Sequence, residues 1–317
     1  MLAALTAALT AISYPAAAFQ LAISQYGRVT ATLPWAVAME KGFFDEAGVR
    51  IDEIIAGAGG GTTLRNVLAS DLPYGEVATS AAIAANRAGL DVVIVNTASS
   101  HIGEIALVAD PKSDIRKIAD LAGKKAGYTA PRSTSDMLLH LALRESGMTG
   151  KVETIATGGF GPGITALTTG AIQAAPLIDP ALTLEPDKYR VILRFADMIP
   201  RMTWLVGITT REFAKKDPEL LRKLIAIRRR GVNYIYEHPD QAVRIYAKVW
   251  QQDPDQVALY FPKYFDYEGE WSRGGFEQTG LAKMSEGLQL VGDIEKPVDW
   301  NALIDQSFLP PDLQKPL

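Results

Sequence analysis

Cysteine is absent from this chain of 317 residues. That excludes disulfides, thiolate nucleophiles, thiolate metal sites and a lipid-modified N-terminal cysteine. Histidine is nearly as scarce: His101, His140 and His238 are scattered, without the spacing of a metal site. A basic surplus is missing too. The formal charge of -4 argues against a general nucleic-acid binder, which neutralises phosphates with a basic surface. Several enzyme signatures are lacking as well. No Gly-Lys-Ser/Thr follows Gly57-Ala58-Gly59-Gly60-Gly61, and Gly158 to Gly163 matches no dinucleotide pattern. Neither Gly-x-Ser-x-Gly nor His-Glu-x-x-His occurs. After the N-terminal segment, no run is long and apolar enough to span a bilayer.

What is present begins with an uncharged segment, Met1 to Ala18, made almost wholly of Ala, Leu, Thr and Ile. It ends in Pro15-Ala16-Ala17-Ala18, an Ala-x-Ala pattern, just before the strand-like alternation of Phe19 to Ile23. This reads as a secretory signal (residues 1–18) cleaved after Ala18, although no Lys or Arg precedes the apolar run. The alternative is a buried N-terminal helix. Under the first reading the mature protein is exported and soluble.

From Phe19 onward strand and helix alternate. Strands are expected over Phe19 to Gln25, to near Ile55, over Tyr74 to Ala78 and over Asp91 to Val95. Helices are expected from Trp35 to Lys41, ending at Gly42, then up to Ser70 and from Ala81 to Ala88. A second round begins near Glu104, with strands over Ile105 to Ala109, Val152 to Ala156, Tyr189 to Phe195 and Thr203 to Thr209. After Glu212 the texture becomes helical, with starts at Asp217-Pro218, His238-Pro239 and Asp253-Pro254. Arg228-Arg229-Arg230 reads as the wet face of one of these helices. The alternation implies an α/β fold, its sheets largely parallel and covered on both faces, with ligands at the carboxyl ends of the strands.

The loops at those ends are rich in glycine and hydroxyls and poor in acids. One stands out: Thr129-Ala130-Pro131-Arg132 leads into Ser133-Thr134-Ser135-Asp136, where a helix begins after a strand. Free N–H groups and the positive end of the helix dipole make such a place fit for an anion. Ser133 or Ser135 also suits a plain helix cap.

Four segments resemble the type II periplasmic binding proteins of ABC importers, in their sulfonate, taurine, nitrate and thiamine-precursor branch. These are Ala38-Met39-Glu40-Lys41-Gly42-Phe43-Phe44; Ile118 to Gly127, with Ser133 to Asp136 after it; Ala166 to Ala175; and Glu237-His238-Pro239-Asp240-Gln241-Ala242. Gln173 stands where the family often has Asp, and Leu72 to Glu76 replaces its commoner turn. The resemblance implies a two-lobe fold, each lobe a mixed, mostly parallel sheet flanked by helices. Residues 19–103 with 205–317 form one lobe and 104–204 the other, joined by two crossover segments.

The implied function is non-enzymatic capture of a small organic anion, a sulfonate or a carboxylate, in the interlobe cleft. Delivery to an inner-membrane permease with its ATPase follows, from a periplasmic monomer that carries no cofactor or metal and is not a lipoprotein. Two alternatives stand beside it: a binder of a neutral thiamine-precursor-like heterocycle, and an enzyme of the same fold acting on a small heterocycle. The cysteine cluster of the pyrimidine-synthesising branch of the superfamily is absent here.

Ligand contacts are expected from Tyr26, Arg28, Thr32, Gly59, Gly60, Thr79 and Ser80 on one wall. On the other they are expected from Ser133, Thr134, Ser135 and Gly159. Ser99, Ser100 and His101 stand just before the first crossover, and Ser100 is counted among the contacts. Arg28 is a bidentate contact or a solvated loop arginine. Trp204 is a flat wall or core, and Trp35 reads as core. Asp179 contacts ligand or starts a turn.

Overall fold

The computed structural model describes residues 19–27, 29–57 and 59–317; the expected signal segment and Arg28 lie outside the described residues. In chain order the strands are β1 (Phe19–Ser24), β2 (Ile51–Gly57), β3 (Tyr74–Ala78), β4 (Val93–Ser99) and β5 (Ile105–Ala109). Then come β6 (Lys125–Tyr128), β7 (Glu153–Ala156), β8 (Ala175–Ile178), β9 (Arg190–Arg194) and β10 (Leu205–Thr209). β4 and β5 are buried along their whole length, as strands covered on both faces are.

The first sheet has the order β2-β1-β3-β10-β4. Its β1 runs parallel to β2 and β3, whereas β10 is antiparallel to both β3 and β4. The second sheet repeats this plan. β6 pairs in parallel with β7, the Ala126–Ala174 bridge and the Gly127 N–H to Ala174 carbonyl bond tie β6 to β8, and β5 lies antiparallel between β8 and β9. In both sheets the antiparallel member is the strand that has just arrived from the other sheet. The strand–helix alternation carries the parallel part of each sheet; the arriving strand makes the sheet mixed.

The chain passes between the sheets twice, after β4 and before β10. These two passages run side by side: Met202 N–H donates to the Ser100 carbonyl at 2.9 Å and Trp204 N–H to that of Ser99 at 3.2 Å. β4 is longer than its sequence suggests. Asn96 to His101 reads as a polar loop, yet these residues are buried, because distant segments supply their partners. Thr97 N–H donates to the Gly274 carbonyl, Ser100 N–H to that of Gly269, and the indole N–H of Trp204 to Ser99 Oγ.

The arginine triplet also divides. Arg229 and Arg230 are paired at the surface with Asp312 and Glu46. Arg228, by contrast, is 1% exposed, and its guanidinium donates to Glu76, the Ala98 carbonyl and the Ser272 carbonyl. It sits on the inner face of the Pro218–Glu237 helix with Leu221, Leu224, Ile225, Val232 and Ile235. Further on, the Gln278–Leu290 helix reaches the second half of the molecule: Gly287 lies against Met137, and Glu286 pairs with Arg144 of the Thr134–Glu145 helix.

Candidate functional site

A cleft of about 820 Å³ opens where the carboxyl ends of strands from both sheets face each other. Four helices begin at it: Gly60–Ala69 and Thr79–Arg87 after β2 and β3, and Thr134–Glu145 and Phe160–Thr168 after β6 and β7. Each brings the unpaired N–H groups of its first turn. In three of the four no side chain caps the N-terminus; apart from the Thr79 N–H, which the Trp204 carbonyl accepts, those N–H groups are left to water or to a ligand.

Glycine makes this approach possible. A Cβ on Gly60 would lie 2.9 Å from those of Ala78 and Ala81, so the first two helix starts pack together through it. Across the cleft, Gly158 has φ +89, a conformation open to glycine at little cost, and its N–H donates to the Thr129 carbonyl at 2.8 Å.

The fourth helix start, after β6, is capped, and the cap is Ser133. Its Oγ accepts the Asp136 N–H at 3.3 Å, while the Asp136 carboxylate accepts the Arg132 N–H at 2.7 Å. Ser133, Ser135 and Thr129 form a knot of hydroxyls 2.8 to 3.1 Å apart, with Ser135 also accepting the Thr129 N–H. Thr134 stands beside them on the cleft wall.

Of the expected residues, Gly59, Gly60, Ser80, Ser133, Thr134, Ser135, Gly159 and Trp204 line the cleft. Five others are drawn elsewhere. Tyr26 packs its ring edge-on against Trp250, 5.4 Å away. Thr32 is fully buried and gives its hydroxyl to the Val29 carbonyl. Thr79 donates its N–H to the Trp204 carbonyl at 2.9 Å, which turns its side chain into the core while Ser80 faces out. Ser100 is held in the crossover by Gly269. Asp179 is buried and paired with Lys263 and the Tyr264 hydroxyl. Trp35 is core, against Phe44 and Tyr74.

Other residues reach the cleft without having been singled out: Thr62, Arg65, Glu104, Arg132, Phe160 and Asp293. Arg65 carries the clearest local signal, a cation one turn into a glycine-started helix. Its Nη2 donates to Thr62 Oγ1 at 3.1 Å, and no carboxylate among the described residues pairs with it. Arg132, a non-glycine residue at φ +64, places Nε 3.2 Å from Asp293, which Arg87 meets at 3.3 Å from the other side. Asp293 and Glu104 have no local signal; chain reversals far apart in sequence bring them in.

Among the described residues, no group of three or more His, Cys, Asp or Glu side chains is arranged to hold a metal ion, and no helix is long and apolar enough to cross a membrane. Two sheets of one strand order, joined by paired crossovers around a cleft, define the two-lobe periplasmic binding protein fold. Within that class, the chain belongs to the NMT1/THI5 like family, whose model matches residues 30–242.

A protein of Brucella abortus (strain 2308) that bears the name "Putative binding protein" is 26% identical over 275 residues, 83% of each chain. Among solved structures, the periplasmic aliphatic sulphonate binding protein SsuA of Escherichia coli matches with a TM-score of 0.72 at 18% identity, covering 91% of this chain and 92% of that one. The alkanesulfonate-binding protein SsuA of Xanthomonas axonopodis pv. citri, solved bound to MOPS, gives 0.71 at 16%, covering 92% and 100%. The desulfurization enzyme DSZB shares the fold at 0.65 and 16%, covering 92% and 97%. At these identities the likeness is one of fold.

Proposed function

We propose that this chain is the solute-binding subunit of an ABC import system and captures a small organic anion, a sulfonate or carboxylate. The observation that carries the reading is the convergence of four helix N-termini on one cleft, three of them uncapped. Backbone N–H groups and aligned peptide dipoles hold an anion without a fully buried counter-charge. The hydroxyls of Ser80, Ser133, Thr134 and Ser135 add donors, the amides of Gly59, Gly60 and Gly159 lie at the helix starts, and Trp204 supplies an apolar wall. Arg65 is the counter-charge.

In this reading residues 19–103 with 205–317 form one lobe and 104–204 the other, and they close about the paired crossovers. The Gln278–Leu290 helix leans on both. The loaded protein then delivers its ligand to an inner-membrane permease. Export to the periplasm fits the segment preceding Phe19. The name of the Brucella relative and the sulfonate-binding titles of two structural neighbours support the same direction. Binding rather than turnover is favoured because, among the described residues, no histidine lines the cleft, and Ser133 and Ser135 bond each other and backbone N–H groups.

The test is to denature the purified protein, identify released small molecules by mass spectrometry, and screen sulfonates and carboxylates by thermal shift. A ligand at ~100 times Kd stabilises by roughly 2.7 kcal/mol, a readable shift. Stabilisation by neutral or cationic heterocycles alone would overturn the anion reading.

A further inference from the structure

Glu104 forms part of the cleft floor, and Thr30 Oγ1 lies within reach of both Glu104 and Glu270. These two carboxyls are 2% and 0% exposed, and their hydrogen bonds can be counted. Glu104 Oε1 accepts the Thr30 N–H, and the Ala31 N–H at 3.3 Å. The single hydroxyl proton of Thr30 faces Glu104 Oε1 and Glu270 Oε1, the latter at 2.6 Å, and serves only one of them. Glu104 Oε2 and Glu270 Oε2 are both buried without a donor.

His101 does not fill the gap. Its Nδ1 stands 3.6 Å from Glu270 Oε2 but accepts the Gly103 N–H at 2.9 Å, so it is the lone-pair nitrogen of a neutral ring. Burial, and then Arg201, push that imidazole down to about 4. The contact is no ion pair.

Among the described residues, no lysine or arginine forms an ion pair with either carboxyl. Lys263 is taken by Asp179, which also accepts from Thr183 at 2.9 Å and from Tyr264. Arg201 pairs with Glu268 at 2.8 Å and Glu277 at 3.3 Å. Tyr246 and Tyr260, from the neighbouring helices, are kept protonated by burial. Tyr267 stacks on His101 at 4.2 Å, with Arg194 and Asp197 acting on it in opposite directions. The donors missing from Glu104 and Glu270 are therefore their own protons. Burial, with Glu270 adding to it, holds Glu104 well above the usual carboxylate range, and burial pushes Glu270 up to about 8.

We propose that Glu104 and Glu270 form a proton-operated gate on the charge of the ligand: the cleft takes an anionic solute while both carboxyls keep their protons and loses affinity when one proton leaves. The inference rests on the anion reading above and adds its regulation. An ionised carboxyl in a water-poor floor repels an anion beside it far more strongly than it would in water. By linkage, a bound anion strengthens the pair's hold on its proton. Binding near pH 8 then takes up as much as one proton, and Kd rises by at most about tenfold per pH unit above that point.

Titration calorimetry of the wild-type protein tests this, with the anion that gives the largest thermal shift. It is run in two buffers of different ionisation enthalpy, from neutral to mildly alkaline pH. The expected result is proton uptake and a Kd that rises with pH, both lost in Glu270→Gln, whose Kd stays flat. A second measurement needs no ligand and no variant that folds. The infrared band of protonated carboxyl should be present at neutral pH in the empty protein and diminish as pH passes about 8.

A flat Kd, or heats that agree between buffers, overturns the gate, as does absence of the protonated band. If the band behaves as expected but no anion binds, the anion reading has failed and the gate falls with it. A flat Kd for an anion that does bind removes the gate alone.

Discussion

Arg228→Met should be among the most damaging single changes outside the apolar core. The guanidinium is 1% exposed and its main partner, Glu76, is fully buried on β3. Three groups lose a donor at once: the Glu76 carboxylate, the Ala98 carbonyl at 2.7 Å and the Ser272 carbonyl. Breaking a buried pair from one side strands a charge and costs about 3–5 kcal/mol. At ~2 °C per kcal/mol for a chain of this size, the melting temperature falls by roughly 6–10 °C.

Burial already raises the Glu76 carboxyl above its ordinary value while Arg228 lowers it, so without the arginine it should take up a proton and recover part of the loss. The double variant Arg228→Met with Glu76→Gln removes the stranded charge and should be more stable than Arg228→Met alone. Urea unfolding of the four proteins at neutral pH closes the cycle. If Arg228→Met loses less than about 1 kcal/mol, or the double variant is the less stable, the pair does not hold this part of the sheet as argued.

The remaining expectations are more local. Arg65→Met should weaken an anionic ligand by about 1.5–3 kcal/mol in calorimetry and leave the melting temperature of the empty protein unchanged, since the side chain is exposed. Ser133→Ala should cost about 1 kcal/mol of stability as a lost cap, and weaken ligand binding as well where the serine bonds an anion. Gly75→Ala would set a Cβ 2.2 Å from the Ala22 carbonyl oxygen and should cost at least about 1–3 kcal/mol in urea unfolding.

The Glu270 carboxyl is protonated in the folded chain and ionised in the unfolded one between its ordinary 4.5 and about 8. The folded state binds the extra proton in that window. Stability is therefore full below it and falls as pH rises through it, by at most about 1.4 kcal/mol per pH unit for one proton. Thermal melts across the window should show Glu270→Gln with the flatter profile.

Where local chemistry decides an element, the sequence reading is close. Tyr74–Ala78 and Ile105–Ala109 are found to the residue; turn residues precede the first, and the second is an unbroken apolar run. Helix starts at Asp217 and Asp253 follow from their own capping carboxylates. Contacts made by distant segments are not legible. Asn96 to His101 is polar by composition and buried in fact, because Gly269, Gly274 and Trp204 come from far along the chain to satisfy it. Arg228 looks like its neighbours Arg229 and Arg230 until β3 brings Glu76 beneath it. The antiparallel placement of β5 and β10 is likewise invisible to periodicity, which reports burial and not strand direction.

The same division runs through the cleft. Glycine and hydroxyl residues at a strand-to-helix junction mark a helix start, and each of the four starts that carries them reaches the cleft. Which residue of a start faces the ligand is settled elsewhere. Thr79 and Ser80 are adjacent, equally suited by chemistry, and about 100° apart around the helix. β10 lies against β3 with Leu205 opposite Ala78, which sets the Trp204 carbonyl on the Thr79 N–H and leaves Ser80 on the open side. A strand some 125 positions down the chain thus chooses between two neighbouring hydroxyls. Local chemistry can locate such a site; its individual contacts are fixed by register between strands.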